Sequence, residues 1–194
     1  MTPLLGRLVE RGWVTLHGPV VCDLGVRGRF LVGDLRRWLI DGRRRGELHA
    51  ARMSCLVPGR ARGRLAGGCL SVIAASVGTP FAPRLEGTVV LIEEVAEAPY
   101  RIDRLLWQLR ASGLLSGVRA LVFGQMTRCR PAAGRPSRSL REVLLAHAEA
   151  LGVPAVSGLP VGHGARTRAV PLGADAEVDA RRGRVVVRLP DGRR

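Results

Sequence analysis

The sequence predicts an α/β fold built on a mixed sheet, and three observations carry that prediction. Thr88-Val89-Val90-Leu91-Ile92 is a continuous apolar run with the length of a buried strand. Ile102, Leu105, Leu106 and Leu109 then recur at i, i+3, i+4 and i+7, the spacing of one helix face, and a second apolar run follows at Ala120-Leu121-Val122-Phe123. Beyond them, Ala176 to Leu189 reads as a hairpin turning at Arg182-Gly183. Strand and helix alternate and terminal strands close the chain, which is the order of an α/β protein with a mixed sheet.

Taken from the N-terminus, Leu4, Leu5, Leu8 and Val9 share one face of a short helix, and Val14-Thr15-Leu16 is a strand stopped by the turn at His17-Gly18-Pro19. From Arg27 to Arg64 there are eleven arginines against Asp34, Asp41 and Glu47, with apolar residues only in short groups such as Leu35 and Trp38-Leu39-Ile40. This stretch reads as a helix and a linker between two structural units. Leu65 to Pro83 is uncharged, but its glycines, serines and prolines argue against a membrane span, and Leu70 with Val72-Ile73-Ala74-Ala75 suits a small-residue core helix. Pro99 and Gly113 bound the helix that carries Ile102 to Leu109. An arginine- and proline-rich loop runs to Ser139, whose S-x-x-E spacing to Glu142 is a capping box for a helix carrying Leu140, Val143, Leu144 and Leu151. Pro154 to Ser157 is a further short strand.

Composition narrows the function classes. With 194 residues, 46% of them apolar and 24% charged, the chain has material for a core and for one or two domains, which excludes a disordered polyampholyte. The net charge of +15 is carried entirely by arginine, with no lysine and no asparagine in the chain. That one-sided usage is a codon effect of a GC-rich genome, and no aromatic residues alternate with the arginines to make a stacking platform. Neither a nucleic-acid nor a membrane partner is therefore assigned. Cys22, Cys55, Cys69 and Cys129 stand far apart with no C-x-x-C pair, so no zinc ribbon or thioredoxin-type motif is available locally and a reduced, cytoplasmic setting fits. No metal or cofactor site is visible, and the N-terminus carries no signal-peptide h-region.

Two polar sites stand out. Glu93 and Glu94 end a strongly apolar strand, where open α/β sheets place ligands, and His163 lies in the glycine-flanked turn Gly162-His163-Gly164. A carboxylate that orients a histidine, with the histidine as general base, is two thirds of a serine-hydrolase triad. Taken singly, each also reads as ordinary loop chemistry, and His17, His49 and His147 read as turn, linker and helix residues. No serine sits in G-x-S-x-G, so the nucleophile elbow is missing.

A set of motifs occurs in one order: Trp13-Val14-Thr15-Leu16-His17-Gly18-Pro19, Gly67-Gly68-Cys69-Leu70-Ser71, Val77-Gly78-Thr79-Pro80, Leu85-Glu86-Gly87, Ile92-Glu93-Glu94-Val95-Ala96-Glu97, Pro99-Tyr100-Arg101-Ile102-Asp103-Arg104-Leu105, Gly158-Leu159-Pro160-Val161-Gly162-His163-Gly164 and Pro171-Leu172-Gly173. In these the chain resembles the LD-carboxypeptidase family of serine peptidases, the murein tetrapeptide carboxypeptidases and their microcin C immunity relatives, over nearly its whole length. The resemblance implies a two-domain serine hydrolase with a Ser-Glu-His triad. Its serine comes from an N-terminal Rossmann-like α/β domain, and the other two members come from a C-terminal mixed-sheet domain. Glu93 matches the triad glutamate and His163 the triad histidine. The implied substrate is a muropeptide tail, from which terminal D-alanine is released in the cytoplasm during cell-wall recycling, and the family includes homodimers.

Two departures qualify the match. Cys69 stands where the family carries asparagine after the paired glycines. The family's Gly-Tyr-Ser-Asp nucleophile turn aligns ahead of the chain, with the serine two residues before Met1. Residues 1–25 are then expected to be a remnant of the nucleophile domain, 26–62 an arginine-rich linker and 63–194 the C-terminal domain. Residues 1 to about 25 are expected to be poorly packed or swapped, and the chain alone to be inactive. The alternative is a non-enzymatic muropeptide- or polyanion-binding module.

Overall fold

The computed structural model describes residues 2–20, 29–48, 53–131, 134, 136–164 and 166–190, with the backbone alone for 29–31. Its elements in chain order are α1 (Thr2–Glu10), β1 (Thr15–His17), α2 (Arg29–Leu39), β2 (Arg45–Leu48), β3 (Ser54–Val57), β4 (Arg60–Cys69), α3 (Leu70–Ser76), β5 (Val89–Val95), α4 (Pro99–Ala111), β6 (Ala120–Thr127), α5 (Leu140–Leu151), β7 (Ala155–Ser157), β8 (Val170–Leu172), β9 (Asp175–Asp179) and β10 (Arg184–Arg188).

Eight strands form one sheet in the order β2-β10-β9-β4-β5-β6-β7-β3, while β1 and β8 make a separate antiparallel pair. Strands β4 to β7 run parallel to their neighbours and the outer pairings are antiparallel, so the sheet is mixed as predicted. Strand β4 joins the two halves: Arg60–Arg64 pairs antiparallel with β9, and Leu65–Cys69 pairs parallel with β5.

Strand β5 is apolar throughout its first four residues because both of its faces are covered. Val90 and Ile92 pack with Ile73, Ile102 and Leu106 under helices α3 and α4. Val89 and Leu91 pack with Leu65, Val122 and Val170 on the other face. Ile102 and Leu106 are fully buried, each contributing about 2 to 3 kcal/mol by removal from water. The Ser139 capping box forms in full: Glu142 N donates to Ser139 Oγ at 3.2 Å, and Ser139 N donates to Glu142 Oε2 at 2.7 Å.

Two expectations need correction. The stretch 26–62 is not a linker throughout, since it supplies α2 together with β2, β3 and the first residues of β4 to the fold. Strands β2 and β4 escape a composition-based reading because their arginines stand on the solvent side, where Arg60 meets Asp179 at 2.8 Å, Arg62 meets Glu177 at 3.1 Å and Glu47 meets Arg184 at 2.8 Å. The small-residue core helix expected at Leu70 and Val72-Ile73-Ala74-Ala75 forms as α3. Residues 2–20, expected to be loosely held, pack on the domain. Strand β1 pairs with β8 through Thr15 with Leu172 and His17 with Val170, and Leu5 and Val9 join the core cluster that contains Leu65 and Leu172. The free edge of β8 gives β1 its hydrogen-bond partner, which removes the exposed edge the expectation rested on. Residues 21–25 lie outside the described ones. Among the described residues no helix is long and apolar enough to cross a membrane.

Candidate active site

Alternation along β5 sends its two terminal carboxylates to opposite faces. Glu94 follows Val90 and Ile92 toward the helices. Its Oε2 accepts from Ser71 N at 2.7 Å at the start of α3, its Oε1 accepts from Val95 N at 2.8 Å, and the Cys69 thiol donates to Oε1 at 3.6 Å. Glu93 follows Val89 and Leu91 to the other face, where its side chain is fully buried and its Oε2 lies 2.7 Å from His163 Nδ1.

The loop after β7 delivers that histidine. Strand β6 carries one extra residue between Phe123 and Met126 against β5, a bulge opposite Glu93 that turns Gln125 out of the regular ladder. Gln125 N donates to Val161 O at 2.7 Å, and Gln125 Oε1 accepts from Gly164 N at 2.8 Å. Thr167 Oγ1 lies 2.7 Å from Gln125 Oε1 and 2.7 Å from Gly164 O, so its single proton ties the loop to itself or to β6. Two glycines make the approach feasible. A Cβ at Gly124 would collide with the Val161 carbonyl and crowd Glu93 Cβ at 3.0 Å, and Gly162 combines φ +136° with a position where a Cβ would sit 3.0 Å from Glu93 Oε2. Farther along the loop, Asp34 of α2 is buried, accepting from Ala169 N at 3.0 Å and from Arg168 at 3.2 Å.

A cavity of about 500 Å³ opens at this point, with Glu93, His163, His17, Cys69 and Thr2 on its polar side. Leu5, Leu16, Leu35 and Val72 make its apolar walls. The His163 side chain is half exposed into it, whereas Glu93 is sealed beneath. A depression of about 540 Å³ elsewhere is lined by Arg62, Arg64, Glu177 and Arg188, and it offers paired surface charge rather than an acid beside a base.

Burial pushes the Glu93 carboxyl above its ordinary range, and the His163 hydrogen bond pulls it back. His17, at the end of β1, has Nε2 3.8 Å from Glu93 Oε1, and burial first and the charge on His163 second bring its pKa down to about 4. Burial likewise raises the Cys69 thiol, which leaves it a poor candidate for a resting thiolate. Thr2, at the start of α1, accepts from Cys69 N at 3.4 Å. Among the described residues that line the cavity there is no serine, and no cluster of three metal-binding side chains occurs among the described residues.

Of the residues singled out from the sequence, Glu93 and His163 meet, Glu94 serves the fold, and His147 is buried between α4 and α5 with Nε2 2.7 Å from Asp103. His49 and Cys22 lie outside the described residues. Gln125 and Thr167 were not singled out. The only trace of Gln125 is a polar residue after glycine at the end of an apolar strand, and Thr167 leaves none.

Glu93 on β5 thus holds from beneath the solvent-facing His163 of the loop after β7. The family model for the LD-carboxypeptidase C-terminal domain matches residues 62–178. This chain belongs to the LD-carboxypeptidase family. A Synechocystis protein named for carboxypeptidase activity is 38% identical over 188 residues, covering 94% of this chain and 60% of its own length. The murein tetrapeptide carboxypeptidase of Pseudomonas aeruginosa is 36% identical over 197 aligned positions, covering 92% of this chain and 60% of its own length. The crystal structure of the muramoyltetrapeptide carboxypeptidase from Oxalobacter formigenes superposes with a TM-score of 0.85 at 25% identity, over 99% of this chain and 67% of that one. The LD-carboxypeptidase chain described here thus spans about 60% of the length of these two curated relatives.

Proposed function

We propose that this chain supplies the acid and base of a serine-type LD-carboxypeptidase that removes the terminal D-alanine of a murein tetrapeptide in the cytoplasm, with Glu93 and His163 as two members of the triad. The observation that carries the reading is the 2.7 Å contact between a fully buried Glu93 and a half-exposed His163 in the domain that defines the family. With Nδ1–H donated to Glu93, the imidazole presents Nε2 to the cavity as a base. His163 takes the proton of the attacking hydroxyl and returns it to the leaving amine of D-alanine, while the Glu93 carboxylate holds the tautomer and stabilises the imidazolium between those steps.

The nucleophile in this reading is a serine contributed from outside the 194 residues. That fits a cavity whose described lining has no serine, whose Thr2 hydroxyl accepts from Cys69 N, and whose one described thiol, Cys69, is pushed away from ionisation. The chain alone then leaves the peptide intact. The test is release of D-alanine from murein tetrapeptide by the chain alone, and by the chain supplied with a nucleophile-bearing N-terminal domain of the family. Turnover is expected only in the second case, and only with Glu93 and His163 in place. Activity of the assembled enzyme that survives both Glu93→Gln and His163→Ala would overturn the assignment.

A further inference from the structure

Glu93 is served on one side only. Its Oε2 is engaged by His163, but Oε1 is buried without a hydrogen-bond partner. A buried carboxylate oxygen with no donor is costly, because it keeps the desolvation penalty of the ionised form without an interaction that offsets it. The polar side chain that faces this oxygen is the His17 imidazole, with Nε2 3.8 Å away and the side chain mostly buried in the same cavity wall. We propose that His17 is a positioning residue of this site: its neutral imidazole, carrying the proton on Nε2, donates toward Glu93 Oε1 and so holds the carboxylate ionised and oriented for His163. The proposal rests on the reading of Glu93 and His163 as a catalytic pair.

The placement of His17 supports it. His17 ends β1 and pairs across the ladder with Val170, the first residue of β8. The loop bearing His163 runs directly into β8, so both histidines hang from one two-stranded unit and approach Glu93 from its two sides. The 3.8 Å separation exceeds a hydrogen bond by about 0.8 Å, a distance that a small rotation of the imidazole covers. The groups that bear on this carboxylate electrostatically are His17, His163, Glu94 and, through its thiol, Cys69. Of these His17 and His163 present donors to it, and Glu94 repels it. A protonated His17 would compete with His163 for the same carboxylate, and burial beside His163 keeps His17 neutral down to about pH 4. The arrangement therefore gives Glu93 two donors, with positive charge restricted to His163 in the interval between taking and returning the substrate's proton.

Histidine-selective 15N NMR on the chain tests this without requiring turnover. In the unsubstituted protein His17 is expected as the neutral Nε2–H tautomer from pH 8 to pH 5, and a bare Nε2 facing Glu93 would overturn the proposal even if every variant failed to fold. Loss of the donor in His17→Phe is expected to lower the titration midpoint of His163, because a Glu93 carboxyl that takes up a proton no longer stabilises the imidazolium. His17→Gln, which keeps an N–H donor, is expected to restore most of that shift. Glu93→Gln serves as the reference. If it lowers the His163 midpoint while His17→Phe does not, or if His17→Phe and His17→Gln lower it equally, His17 has no donor role and the Glu93 and His163 pair stands. If Glu93→Gln leaves the midpoint where it was, the underlying pairing itself is wrong, and the proposal falls with it.

Discussion

Glu93 and Glu94 are adjacent in sequence and equally hidden from solvent, yet the two faces of the sheet at the end of β5 use them differently. On the helix face, Glu94 receives two backbone N–H donors and a thiol, which saturates the carboxylate and pins the start of α3 to the strand. On the opposite face, Glu93 receives one side-chain donor, and its second oxygen waits on His17 across 3.8 Å. A carboxylate bound by backbone amides is part of the scaffold and cannot change partners without unfolding a helix end. A carboxylate bound by side chains can respond to a proton moving on the histidine it holds. The difference in partner type, rather than in residue type or burial, separates the carboxylate of the site from the carboxylate of the fold.

The sharpest way to break this comparison is to neutralise each acid in turn. In the enzyme assembled with its nucleophile domain, Glu93→Gln should lower kcat by about 10⁴-fold, the loss seen when a triad carboxylate is replaced by an amide and the histidine tautomer is no longer held. The fold should persist, because among the described residues Glu93 is bound by the His163 side chain and accepts from no backbone group. Steady-state kinetics of D-alanine release together with circular dichroism would check both halves, and unchanged kcat in a folded variant would dissolve the distinction between the two faces.

A second effect concerns pH and belongs to the site face alone. Folding lowers the His17 pKa from 6.5 to about 4, through burial first and the charge of His163 second. Between those values the unfolded chain takes up a proton that the folded chain refuses, so the contribution of His17 to stability is complete above pH 6.5 and is lost as the pH falls toward 4. Its full size is about 3 kcal/mol. Urea midpoints measured from pH 7 to pH 4 should therefore fall less steeply for His17→Phe than for the unsubstituted chain. Any rise in the Glu93 pKa in the variant acts in the same direction, because the folded variant then binds an additional proton in this range. Equal slopes would show that His17 is protonated in the folded protein.

On the helix face the expected loss is in stability. Glu94→Ala strips the acceptor from Ser71 N and Val95 N and leaves polar groups unpaired beside the core, at a cost of about 2 kcal/mol. The measurement is a urea unfolding curve at pH 7. The His163 and Glu93 contact should be retained in the folded fraction, visible as an unaltered His163 titration, because the two acids lie on opposite faces of β5.

How far the sequence disclosed this arrangement depended on whether the decisive interaction was local. The apolar run into β5, the helical spacing of α4, the hairpin of β9 and β10 and the capping box at Ser139 are set within a few residues and are legible as patterns. The motifs around Glu93 and His163 placed both residues in one family. Strand β2 was not legible, because an edge strand with arginine on the solvent side and glycine and leucine inward carries no continuous apolar run, and β3 was not, because the four residues Ser54–Val57 are too short a run to stand out. The packing of α1 and β1 was misjudged for a related reason: the partner edge is β8, more than 150 residues away, and nothing in residues 1–25 announces it. The bulge at Gly124 and Gln125 and the approach of His17 to Glu93 exist only in three dimensions, so His17 read as a turn residue and Gln125 went unnoticed.

The smallest effect tests whether the helix face acts on the site at a distance. Ser139 caps α5 by accepting from Glu142 N, and its own N–H is bound in return by the Glu142 carboxylate. Ser139→Ala removes the first of these bonds and should cost about 1 kcal/mol. Helix α5 packs Val143, Leu144 and Ala148 into the core on the side away from Glu93, and it holds α4 through the His147 contact with Asp103. Fraying its first turn therefore loosens the layer that Glu94 belongs to, and the histidine loop, anchored instead by Gln125 and by Asp34, should stay in place. A lower urea midpoint with an unaltered His163 titration is the expected result. A shift of the His163 midpoint in this variant would mean that the two faces are coupled through β5, and that the helix layer helps to set the geometry of the acid and base it never touches.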